Sequence, residues 1–71
     1  MRELRPTWTV RTARGDVLTV EHDSLRSRWR VDPGGYERRG LADALGQVTG
    51  DKPTAPWIVE IVERLSAEAS R

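Results

Sequence analysis

The chain has 71 residues, a net charge of +1 and no cysteine, and these features restrict the class of protein that it can be. A chain of this length forms one domain, which we expect to span residues 1–71. Without cysteine there are no disulfides and no thiolate sites, and a single histidine, His22, leaves few ligands for zinc. The sequence therefore predicts no metal site and no cofactor.

No apolar run approaches the ~20 residues that a membrane-spanning helix needs, and the N-terminus lacks the apolar stretch of a secretory signal. We expect a soluble, cytoplasmic protein that does not associate with membranes. In so small a domain apolar burial only roughly balances the loss of chain entropy. A homodimer, which would add stability, is therefore among the states we consider.

The first element of the chain is predicted to be a β-hairpin with a three-residue loop that ends in Gly15. Such a loop requires a left-handed residue at its last position, where glycine is favoured. The resulting register pairs Trp8 with Val20 and Val10 with Leu18 on one apolar face. A two-residue turn would mix apolar and polar side chains on both faces, because a shift of one residue inverts every side chain.

A third strand follows, with Trp29 and Val31 on its apolar side. The link before it, residues 24–27, has no glycine or asparagine, which favours a four-residue loop. The Asp-Pro-Gly-Gly turn at 32–35 then leads into a short candidate strand at 36–39. The expected cross-strand neighbours are His22 with Trp29, and the ion pairs Glu21 with Arg30 and Asp23 with Arg28.

The second half of the chain has helical periodicity. Leu41, Leu45 and Val48 predict a short helix that Gly50 ends in a left-handed cap. A second helix is expected to begin with Thr54 as its N-cap and Pro56 in its first turn. Its apolar stripe comprises Trp57, Ile58, Ile61, Val62, Leu65 and Ala69.

These patterns predict an α+β fold, in which an antiparallel meander of three strands, or four, is followed by two helices packed on one face. The three tryptophans fall in three separate apolar segments and are expected to share one core. The predicted strands are at about 7–13, 16–22, 27–32 and 36–39, and the predicted helices at about 41–49 and 55–69.

Arginines on the predicted sheet are the candidate contacts for a partner. Arginine binds phosphate and carboxylate groups in a bidentate manner. Alternation sends Trp29 to the core and the flanking arginines to solvent, where nearby carboxylates neutralise them, so we favour an ion-paired surface over a nucleic-acid site. The candidate contacts are Arg11, Arg28, Arg30, Arg38 and Arg39.

His22 is the one candidate for general acid–base chemistry, with Asp23 and Ser24 beside it. Those two residues are typical of turns, and no third element completes a catalytic arrangement. We therefore predict no catalytic residues and no enzymatic activity.

The function that the sequence favours is a small non-catalytic interaction module that regulates or scaffolds a protein partner. The alternative is a nucleic-acid-binding module that uses the arginine-bearing sheet face. An enzyme, or an enzyme subunit, built around His22 ranks third.

Overall fold

A computed structural model of the protein describes residues 5–70, which form four strands and two helices in the predicted order. The strands form one antiparallel sheet in the order β1-β2-β3-β4, which confirms the α+β meander and its fourth strand. The elements are β1 (Thr7–Arg11), β2 (Val17–Asp23), β3 (Arg28–Asp32), β4 (Tyr36–Arg38), α1 (Leu41–Thr49) and α2 (Pro56–Ala69).

The hairpin of β1 and β2 has the predicted register, with Val10 across from Leu18. Two backbone hydrogen bonds close its three-residue loop. The Thr12 N–H donates to the Asp16 carbonyl at 2.9 Å, and the Gly15 N–H donates to the Thr12 carbonyl at 3.0 Å. Gly15 has φ of 91°, the left-handed conformation that this loop requires.

The predicted end of the first strand is wrong by two residues, since β1 ends at Arg11. Thr12 belongs to the loop because its hydroxyl oxygen accepts the backbone N–H groups of Arg14 and Asp16, at 3.2 and 3.1 Å. A side chain that bonds to its own loop in this way competes with continuation of the strand. The other predicted boundaries agree to within one residue.

The register of β2 on β3 is also as expected, with His22 across from Trp29 and Asp23 across from Arg28. Residues 24–27 form the predicted four-residue loop. Its last residue, Ser27, has φ of 54°, although no residue of the loop favours that conformation by type. Closure of the loop therefore imposes the left-handed backbone on a serine.

The two helices begin and end for different reasons. α1 ends at Thr49 and is capped, as predicted, by Gly50, whose φ is 81° and whose N–H donates to the Gly46 carbonyl at 2.7 Å. The predicted N-cap of α2 is wrong: the cap is Ala55, not Thr54, and it has no side-chain hydrogen bond. Pro56 holds Ala55 in an extended conformation, so the helix begins at the proline itself.

One apolar core lies between the inner face of the sheet and the two helices. Trp29 belongs to it, while Trp8 and Trp57 are half-buried and pack against it. The indole N–H of Trp8 donates to Glu68 at 2.9 Å, which ties β1 to α2. The buried apolar residues are Val10, Leu18, Val20, Trp29, Val31, Leu41, Ala44, Leu45, Ile58, Ile61 and Leu65.

Candidate interaction surface

The outer face of the sheet is the surface left uncovered by this packing. Strand alternation directs its side chains away from the core that both helices cover. Most of them are exposed, and none is aromatic among the residues that the structure describes. The outer face comprises Thr7, Thr9, Arg11, Val17, Thr19, Glu21, Asp23, Arg28, Arg30, Asp32 and Glu37.

Ion pairs cover much of the outer face, but they differ from the expected ones. Glu21 accepts a hydrogen bond from Arg5 at 3.0 Å, instead of pairing with Arg30. Arg30 lies 3.3 Å from Asp32 and 3.9 Å from Glu37. The fourth strand explains the exchange, because it places Glu37 directly across from Arg30 on the side away from β2.

The expected pair between Asp23 and Arg28 is also absent from the described residues, although the two residues lie opposite each other. The Asp23 carboxylate instead accepts the backbone N–H groups of Leu25 and Arg26, at 3.2 and 3.3 Å. Its other oxygen lies 3.5 Å from a guanidinium nitrogen of Arg5 and 3.8 Å from one of Arg26. With those partners around it, the carboxylate is nearly buried.

The five predicted contact arginines do not form one patch. Arg11 lies at the end of the sheet that carries the β1–β2 loop, where its guanidinium donates to the Gly15 carbonyl at 3.4 Å. Arg28 lies at the other end, and Arg30 lies between the two. Arg38 lies opposite Trp29 in the register of β3 and β4, and therefore on the inner side of the sheet. Arg39 follows the end of β4.

Three arginines lie on the β2–β3 loop, at the start of β3 and directly after β4, and we call them the basic end: Arg26, Arg28 and Arg39. Arg28 begins β3 and Arg39 follows the end of β4, so each lies one residue beyond the last observed pair of the two strands. Neither of these two side chains makes a hydrogen bond or an ion pair with any described residue. Arg26 and Arg28 also line a shallow groove that contains Glu21, Asp23 and Glu37.

Leu25 is the apolar residue at the basic end. It is 76% exposed at the tip of the β2–β3 loop, the highest exposure of any large apolar side chain in the described part of the chain. The Asp23 carboxylate holds the backbone of Leu25 and Arg26 in place. The loop therefore presents an apolar side chain near Arg28, which has no ion pair with any described residue.

A cleft of about 380 Å³, which no sequence pattern predicts, lies at the opposite end of the sheet. It forms between the β1–β2 loop, Pro33 and the C-terminal end of α1. Its walls combine apolar Val17, Leu18 and Val48 with charged Arg14, Asp16 and Asp51. These residues come from three separate segments, so only the tertiary fold brings them together.

His22 lies within the aromatic packing of the sheet. Its ring centroid is 4.3 Å from that of Trp29, and it is half-buried. No hydrogen bond joins His22 to Asp23 or Ser24 among residues 5–70, and the Asp23 carboxylate is bonded to the loop. Within the same range, no group of three or more His, Cys, Asp or Glu side chains could hold a metal ion.

No protein-family model matches this chain, and no curated protein or solved structure is significantly similar to it. Over residues 5–70, neither helix is long and apolar enough to cross a membrane. The geometry of the surface is therefore the basis on which a function is proposed.

Proposed function

We propose that this chain is a small non-catalytic interaction module, which regulates or scaffolds a protein partner through the outer face. The observation that carries the proposal is that neither helix packs on this face of the sheet. The face is formed by rigid strands, so little order would be lost when a partner binds. Arginine, which contributes four side chains on or beside it, is enriched in protein–protein interfaces.

The charges of the outer face support a protein partner over a nucleic acid. Carboxylates are interspersed with the arginines and pair with Arg5 and Arg30, so no continuous positive stripe is left to follow a phosphate backbone. The basic residues are Arg5, Arg11, Arg28 and Arg30, and the acidic residues are Glu21, Asp23, Asp32 and Glu37. A surface that carries both positive and negative charges can bind a protein surface whose charges are complementary to it.

A capture experiment tests the proposal. The full chain, immobilised and incubated with a lysate of its source cells, is compared with two variants that each add one negative charge. Thr19→Glu alters the centre of the outer face, where Thr19 lies across from Thr9. Ala67→Glu alters an exposed position on α2 and serves as the matched control.

We expect a protein that is retained by the wild type and by Ala67→Glu, and that is lost with Thr19→Glu. Retention that depends on Ala67 but not on Thr19 would assign the interaction to the helical layer and contradict the choice of surface. If no protein is retained above an unloaded matrix, the proposed function is wrong.

Titration with nucleic acid tests the alternative directly. We expect a random-sequence duplex and a random single strand to bind more weakly than roughly 10 μM at physiological salt, where specific modules bind at about 10 nM or tighter. Sub-micromolar binding that is lost on replacing Arg28 and Arg30 with alanine would favour the nucleic-acid module instead.

A further inference from the structure

We infer that the basic end binds an acidic segment of the protein partner, with Arg28 and Arg39 contacting its carboxylates and Leu25 contacting an adjacent apolar side chain. This inference rests on the proposed function and specifies the chemistry of the partner.

The charge at the basic end is not balanced locally. Asp23 lies across from Arg28, but it is 9% exposed and is already bonded to the β2–β3 loop, to Arg5 and to Arg26. Arg28 and Arg39 thus retain guanidinium groups without a partner among the described residues. Each can donate two parallel hydrogen bonds to one carboxylate, the geometry in which arginine binds most strongly.

The loop presents Leu25 in a fixed position. Hydrogen bonds from the Leu25 and Arg26 N–H groups to Asp23 restrict the loop, and Ser27 closes it with an unfavourable left-handed backbone. A strained residue at an exposed loop is a feature found at binding sites. Because the loop is already ordered, contact with Leu25 would cost little conformational entropy.

The same surface is poorly suited to a nucleic acid. No exposed aromatic ring lies on the outer face of the described chain to stack on a base, since Trp29 is buried. A peptide that alternates carboxylates with an apolar residue matches both the arginines and Leu25.

A peptide library provides the test. Random 12-residue peptides displayed on phage are selected against the full chain, and the most enriched peptide is synthesised with a fluorescent label. Its affinity is measured by anisotropy for the wild type, for Leu25→Ser and for the double variant Arg28→Ala/Arg39→Ala. Arg64→Ala is the control, because Arg64 is exposed on α2 and has no described partner.

We expect selected peptides rich in Asp and Glu around an apolar residue. Loss of two charge-assisted contacts should weaken binding by at least about tenfold, and Leu25→Ser should also weaken it, whereas Arg64→Ala should change it by less than about twofold. Far-ultraviolet circular dichroism of each variant establishes that it is folded.

Three results would overturn the inference: peptides without acidic enrichment, affinity that is indifferent to the Arg28/Arg39 substitutions, or a library without binders. If the capture experiment still returns a partner that depends on Thr19, only the basic end is misassigned and the proposed function stands. A random 12-nucleotide RNA that binds more tightly than the peptide, and loses binding in the double variant, would assign the basic end to nucleic acid.

Discussion

Substitution of Gly15 isolates the contribution of a single backbone conformation to the stability of this fold. Gly15 has φ of 91°, and a Cβ atom added there would meet no atom within 4 Å apart from those of the adjacent residues. Steric crowding is therefore absent, and the penalty for a larger residue comes from backbone strain alone. A β-branched residue resists this conformation most strongly, while asparagine adopts it more readily.

We expect Gly15→Val to lower the free energy of unfolding by about 1.5 kcal/mol. The strain of about 2 kcal/mol is partly offset by the lower entropy of the unfolded chain that a residue other than glycine confers, about 0.5 kcal/mol. For a domain of this size, the loss corresponds to a fall in Tm of roughly 6–12 °C. Gly15→Asn should lose only a few tenths of a kcal/mol.

The two variants are compared by urea denaturation and by thermal melts followed by circular dichroism. Equal denaturant slopes would establish that stability, not the extent of unfolding, has changed. If Gly15→Val is as stable as Gly15→Asn, the left-handed position does not constrain the hairpin and the argument for a three-residue loop fails.

Three further predictions concern the core and the turns. Leu45→Ala should lower the free energy of unfolding by about 3–5 kcal/mol, because the side chain is fully buried. A decrease below about 1 kcal/mol in urea denaturation would contradict that burial. Trp57→Phe should lower the free energy of unfolding by about 1 kcal/mol, because it removes the 2.8 Å hydrogen bond to Asp51. In a double-mutant cycle, Trp57→Phe should have no further effect on stability once Asp51→Ala is present. Ser27→Gly should raise Tm, since relief of the strained φ of 54° should outweigh the entropy that glycine adds to the unfolded chain, and a lower Tm would show that the strain is smaller than that entropy term.

Much of the sheet could be predicted because its signals are local. Alternation of apolar residues in β1 and β2, together with the glycine that the three-residue loop requires, selects the observed register, since a shift of one residue would turn the apolar side chains to solvent. The helical period of Leu41, Leu45 and Val48 has the same local origin. The N-cap of α2 is predicted at the wrong residue, because the preference of threonine for caps is outweighed by the extended conformation that Pro56 imposes on Ala55.

The candidate site was predictable only in part. Alternation places Arg28 and Arg30 on the solvent side of β3, but it does not determine their partners, because a long side chain can reach several carboxylates. In the structure Arg30 pairs with Asp32 and Glu37, and Glu21 pairs with Arg5, which precedes the first strand. Arg28 is left without a partner among the described residues, and that is the feature on which the basic end depends.

The sequence by itself determined the order of the elements, the strand register and the apolar faces, since these follow from the periodicity of neighbouring residues. Only the tertiary structure decided which surfaces exist between elements. The cleft near Pro33 joins segments distant in sequence, and Gly46 lies so close to the next segment that an added Cβ would be 2.9 Å from the Asp51 carbonyl oxygen. Such proximity arises from the packing of whole elements, which no local pattern encodes.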